Sequence, residues 1–208
     1  MKRKRILFVI LLLVFLCVGV IFFSLVWFRG SKVITVSKET VNIIPYEEIS
    51  LFRQDDERWA EEMLGSSVYS IKKSGCLVTC IASALSMEKS LEEGAVTPGS
   101  LNEKFSSGGV YDREGNLQWE NLRQLDDGKV FDVEVYNTVS EEIIQGCLEQ
   151  GKFPIVRVRM SGIGNFHYIL IVKFEEGKYF CMDPLKDDLQ PLSHYWNRVY
   201  AIRCVSAK

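Results

Sequence analysis

The sequence predicts an α+β domain preceded by one membrane-crossing helix, and three observations predict it. An unbroken apolar run occupies Ile6 to Phe28, helical patterns follow between residues 70 and 130, and strand patterns dominate from there to the end. Helices first and antiparallel strands later indicate an α+β arrangement rather than a doubly wound parallel sheet.

The apolar run begins directly after MKRKR and is closed by Arg29. A helix needs about 20 apolar residues to cross a bilayer, and this run supplies them. A cleavable signal peptide has a shorter apolar core, about 7–15 residues, and ends at small residues. Here the run ends in SLVWFRG, with bulky residues at that place. An uncleaved signal-anchor is therefore expected. Residues 1–5 form a basic cytoplasmic tail, 6–28 the membrane helix, and Trp27 and Phe28 its interfacial belt. The remainder then lies outside the cell, with 29–50 as a polar stalk containing short β-like fragments (VITV, VNII) and 51–208 as the domain.

Residues 1–30 hold five basic residues and no acid, so with the chain at −2 the remainder stands at −7. An acidic domain has no electrostatic footprint for nucleic acid. Cys17 falls in the membrane helix, which leaves Cys76, Cys80, Cys147, Cys181 and Cys204 as an odd set with at least one free thiol. Cys181 and Cys204, on neighbouring strands by this reading, could pair. No CxxC or His/Cys cluster has zinc spacing, so neither a metal nor another cofactor is expected.

Within the domain, LVTCIASALSM (77–87) reads as a buried helix started by Ser74-Gly75. TPGSLNEKF has Thr97 as N-cap and Pro98 in the first helical position. GNLQWENLRQL is a short helix with Asn116 capping. VFDVEVYN alternates as a strand, and VSEEIIQGCLEQG is a helix capped by Ser140 and stopped by Gly151. FPIVRVRM, FHYILIVKF, KYFCM and RVYAIRCV follow as strands. Trp59 and Trp119 are expected in the core, and His194 in a loop.

The two strands FHYILIVKF and KYFCM are joined by Glu175-Glu176-Gly177, a hairpin signal. A three-residue loop at 174–176 would set His167 directly opposite Asp183. A type I turn with Gly177 as a bulge would make them diagonal neighbours. Either way a carboxylate approaches an imidazole, since such Cβ atoms lie about 4.5–8 Å apart. Cys76 in KKSGCLVTC stands at a helix start, where unpaired N–H groups and the helix dipole favour a thiolate. A nucleophile, a base and a group that orients the base are the parts of a triad.

FRQDDERWAEEMLG, SGCLVTCIASALSM, TPGSL, HYILIV and MDP together resemble the papain-like cysteine peptidases, in the bacterial branch related to bacteriocin-leader-processing peptidase domains. The resemblance covers about Leu51 to Val205. It implies a papain-like fold in which Cys76 is the nucleophile, His167 the general base and acid, and Asp183 the orienting residue. It also implies that Gln54, in QDDERW, donates to the oxyanion, although Gln54 lies farther before the cysteine than the glutamine of papain does. The ATPase and multi-span domains of transporter-linked relatives are absent from this chain, so a double-glycine leader is not implied as substrate. The expected function is a membrane-anchored extracellular cysteine peptidase acting on a peptide. A cell-wall amidase or endopeptidase with the same triad, or a non-catalytic surface binding module on the same fold, is the alternative.

Overall fold

The computed structural model describes residues 2–36, 49–88, 96–136 and 138–208, in two compact units, Met1–Ser31 and Lys32–Lys208. The first unit is one helix, α1 (Lys2–Trp27), that runs through the basic residues read as a tail. Its Phe8–Trp27 stretch has a mean hydropathy of 3.3, so α1 is long and apolar enough to cross a membrane.

The second unit is α+β. Its elements are β1 (Lys32–Val33), α2 (Ile71–Ser74), α3 (Cys76–Ser86), α4 (Pro98–Ser107), α5 (Trp119–Gly128), β2 (Phe131–Tyr136) and α6 (Glu141–Glu149). These are followed by β3 (Pro154–Arg159), β4 (Phe166–Glu175), β5 (Lys178–Met182), β6 (Gln190–Pro191), β7 (Arg198–Val199) and β8 (Ala201–Ala207). Six strands form an antiparallel sheet in the order β2-β8-β3-β4-β5-β6. Helix α3 lies against β3, β4 and β8, burying every residue from Val78 to Leu85. That placement follows from composition. Alanine, serine and threonine let the helix approach the sheet closely, while Ile81 and Leu85 join Ile155, Ile169 and Ile171 in one core.

Local signals account for most boundaries. Thr97 closes a capping box with Ser100, with Pro98 at the first helical position. Ser140 accepts from Ile143 N at the start of α6. Helix α5 departs from expectation, starting at Trp119 after Gln118 rather than at Asn116. The reason is Asp112, whose carboxylate accepts from the backbone N–H groups of Glu114 and Asn116 and from the Asn116 side chain, keeping Asn116 in the preceding loop.

Other expectations are corrected by sheet order. RVYAIRCV is two strands: β7 pairs with β1, and β8 inserts between β2 and β3 after a break at Tyr200. Strands β5 and β8 are consequently separated by β3 and β4, which excludes a Cys181–Cys204 bond. Cys204 is bonded instead to Cys147 of α6, and Cys181 is buried and free. The stretch read as a stalk contributes β1 and the buried Ile34 to the folded unit, as does Ile49 at its other end. VNII lies outside the described residues.

Candidate active site

The site is assembled by a hairpin and a helix start. His167 is the second residue of β4, and Asp183 directly follows β5. Their connection is a two-residue turn, Glu176-Gly177, with φ of 50° and 74°. Left-handed values at both positions give the twist that suits a tight hairpin, and glycine adopts its value without strain. This turn is shorter than either loop expected from the sequence. It pairs Glu175 with Lys178, Phe174 with Tyr179 and Lys173 with Phe180. Continued unchanged, that register would set Asp183 against Leu170, on the face opposite to His167, because strand side chains alternate. A bulge between Ile171 and Lys173 intervenes, after which Ile171 pairs with Cys181 and Leu170 with Met182. The one-residue gain returns Asp183 to the face of His167, as its diagonal neighbour.

There His167 Nε2 lies 2.6 Å from Asp183 Oδ1, with both side chains buried. The same Oδ1 accepts from Leu185 N at 2.8 Å, and Oδ2 accepts from the Tyr195 hydroxyl. Asp183 thus caps its Asp-Pro turn and holds the imidazole at once. Burial raises the carboxyl pKa, but the hydrogen bond and charge of His167 reverse this, with Tyr195 and Leu185 N adding to them, so the net shift is downward. Burial and the adjacent carboxylate push the Tyr195 phenol up, so it stays protonated and donates. Nothing in the sequence singles out Tyr195. It reaches Asp183 through the Leu192–Tyr195 turn after β6, a strand the hydropathy pattern does not reveal. His194 in that turn is exposed.

Cys76 opens α3 and is only partly buried, and its sulphur lies close enough to the His167 ring to favour the protonated imidazole. Because Nε2 is held by Asp183, Nδ1 is left for the sulphur. Burial pulls the His167 pKa down, but Asp183 and the Cys76 sulphur more than offset it and raise it to about 9. The imidazole is therefore cationic at neutral pH. Gly75 precedes Cys76 because nothing larger fits. A Cβ there would sit 2.5 Å from the Ile71 carbonyl oxygen and 2.7 Å from its Cα.

Cys80, one turn on, is fully buried and donates to the Tyr168 carbonyl at 3.4 Å. Burial pushes the thiols of Cys80 and Cys181 well up, which keeps both protonated.

Gln54 bridges the two arms of the site. Its backbone N–H donates to Pro184 O at 3.0 Å, beside Asp183, and its buried side-chain Nε2 donates to Lys72 O at 2.7 Å. Cys76 follows α2 and Gly75 as the first residue of α3, where the leading N–H groups of a helix have no partner within it. The motif around Gln54 is a compact turn: Trp59 N donates to Asp56 O, and the buried indole Nε1 donates to Arg53 O at 2.8 Å.

A pocket of about 160 Å³ opens beside Cys76, walled by Leu64, Leu77, Tyr111, Trp119 and Tyr168. Trp59 is core as expected, and the half-buried Trp119 packs against the core while also lining this pocket. Among the described residues no group of three or more His, Cys, Asp or Glu side chains is placed to hold a metal ion. Searches against protein-family models and curated proteins find no match to this chain. Chemically, a thiol against a cationic imidazole backed by a carboxylate is able to form a thiolate, attack a carbonyl carbon and return a proton to the leaving group.

Proposed function

We propose that this chain is a papain-like cysteine peptidase, held in the membrane by α1 with its folded unit outside the cell, acting through Cys76, His167 and Asp183. The observation that carries the proposal is the buried His167–Asp183 pair, with Cys76 near enough to favour the cationic ring and lining a pocket beside it. In this reading the thiolate attacks the peptide carbonyl carbon, and the carbonyl π electrons move to its oxygen. The Nδ1 proton of His167 passes to the leaving amine as the C–N bond breaks. Water, giving a proton to the now neutral imidazole, attacks the thioester carbon; the C–S bond breaks, the carboxylic acid product leaves, and the thiolate and cationic imidazole are restored. The Cys76 N–H and the Gln54 Nε2 proton not bonded to Lys72 are the donors available to the oxyanion. Asp183 fixes the ring so that Nδ1 faces the sulphur.

The test uses the full chain in detergent micelles with internally quenched peptides. Cys76→Ala and His167→Ala abolish hydrolysis. Asp183→Asn keeps one oxygen for His167 and Leu185 N, and its activity falls by about 10- to 100-fold, less than a proton-transfer group contributes at its largest. Hydrolysis that survives Cys76→Ala overturns the proposal. Anchoring is tested separately, since protease added to intact cells digests the folded unit if it lies outside. Basic residues Lys2–Arg5 before the apolar run support that orientation.

A further inference from the structure

We propose that Arg157 and Arg203 form a carboxylate-binding site at the edge of the Cys76 pocket, selecting peptides with an anionic group close to the bond cleaved. The inference rests on the peptidase reading and adds a substrate class to it.

Arg157 pairs with Tyr168 across β3 and β4, and Arg203 pairs with Ile155 across β3 and β8. Ile155 and Arg157 are two apart on one strand, so Arg157, Tyr168 and Arg203 share a face of the sheet. Tyr168 also walls the pocket with Cys76 and Trp119. The Arg157 guanidinium stacks on Phe166 at 4.4 Å, and its charge acts on the Tyr168 phenol against the effect of burial. That of Arg203 lies 5.4 Å from the Trp119 ring centre, with Nη1 donating to the carbonyls of Tyr136 and Ile202. The two cations thus adjoin two walls of the pocket, and every one of these partners is neutral.

Among the described residues neither arginine forms an ion pair with a carboxylate, and the buried Nε of each has no hydrogen-bond partner. The charged groups that face Arg203 are Arg157 and Arg123; with burial first, they lower its pKa, and only Tyr168 opposes them. Half-buried like charges without a counter-ion are costly, the more conspicuously so where the unit as a whole stands at −7 and carboxylates are abundant. A fork of N–H donors preheld by aromatic faces matches a carboxylate in shape and charge. The apolar wall beside it takes an uncharged side chain. The matching ligand is a peptide with a carboxylate within a residue or two of the scissile bond, from an Asp or Glu side chain or from the chain end.

The full chain in micelles is given peptides with Glu or Gln at each of three positions either side of the cleaved bond, and matched peptides ending in carboxylate or amide. At one position Glu is preferred over Gln by about 10-fold in kcat/KM, the size of a charge-assisted hydrogen bond, and mainly through KM. The preference shrinks as salt is raised. Arg157→Gln and Arg203→Gln remove it while leaving the Gln peptide within about 3-fold, and Arg203→Lys restores part of it. A preference confined to carboxylate over amide assigns the site to the chain end. If either variant fails to fold, the wild-type Glu-to-Gln ratio and its salt dependence still decide. Equal cleavage throughout the set, with no carboxylate preference, overturns the inference and leaves the peptidase reading intact. If no peptide is cleaved at all, that reading fails and this inference falls with it.

Discussion

His167 carries two opposed influences, and their balance sets a measurable pH. Burial favours the neutral ring, whereas Asp183 and Cys76 favour the cation and bring its pKa to about 9, above the ordinary 6.5. The folded chain therefore holds a proton that the unfolded chain releases between those two values. The stabilisation this gives is complete below 6.5 and is lost as pH rises through about 9. In the proposed mechanism the cationic ring is the proton donor, so kcat/KM should fall on an alkaline limb near pH 9. Histidine resonances followed by NMR should titrate at the same value, and Cys76→Ala should move that midpoint downward by removing one of the supports. A midpoint near 6.5 in the unaltered chain would contradict the contacts described. Thiol chemistry should be equally selective. Cys80 and Cys181 are wholly buried and held protonated, and Cys147 and Cys204 are bonded to each other. Iodoacetamide should therefore add one label to the folded unit, at Cys76, and reach the other two thiols only after unfolding. Peptide mapping by mass spectrometry checks this, with Cys76→Ala as the unlabelled control.

At the scale of elements, the bulge in β4 decides whether the site exists. The turn alone would turn Asp183 away from His167; the extra residue between Ile171 and Lys173 turns it back. Deleting Val172 should accordingly leave a paired hairpin while abolishing hydrolysis, with a modest loss in melting temperature. Retained activity would show that the carboxylate is not required from that strand. The same hairpin shows what sequence can and cannot convey. Period-two hydropathy and the Glu-Gly turn locate both strands and bring an aspartate to the histidine. They do not report a bulge, because inserting one residue into a wholly apolar run such as YILIV leaves no mark on its pattern. The cysteine helix was legible for a different reason: its small apolar residues and the Ser-Gly before Cys76 are local signals. The strand split at Tyr200, the short β6, the partner of Cys204 and the role of Tyr195 were not legible. Each depends on which strands become neighbours, and the whole core decides that. Trp119 packs against the core as its hydropathy implies, but its second place, lining the pocket, depends on the residues that face it and is not legible in the sequence.

For the whole molecule, the Cys147–Cys204 bond ties α6 to a central strand across a sequence separation of 57. Closing a loop of that size restricts the unfolded chain, and losing it typically costs about 2–4 kcal/mol. Cys147→Ser should lower the urea midpoint accordingly while turnover per folded molecule stays unchanged. A loss of turnover without a loss of stability would give the bond a part in the site. The sheet order has a consequence for how the protein is made. Strand β8 comes after the other five strands of the sheet in sequence yet sits between β2 and β3, so the sheet stays divided until β8 emerges. Gln54 and Cys76 are synthesised long before the strands that complete them. During that interval the growing chain carries the Cys76 thiol with neither His167 nor the completed sheet beside it. Synthesis order thus keeps Cys76 apart from His167 and Asp183 until the later strands have emerged.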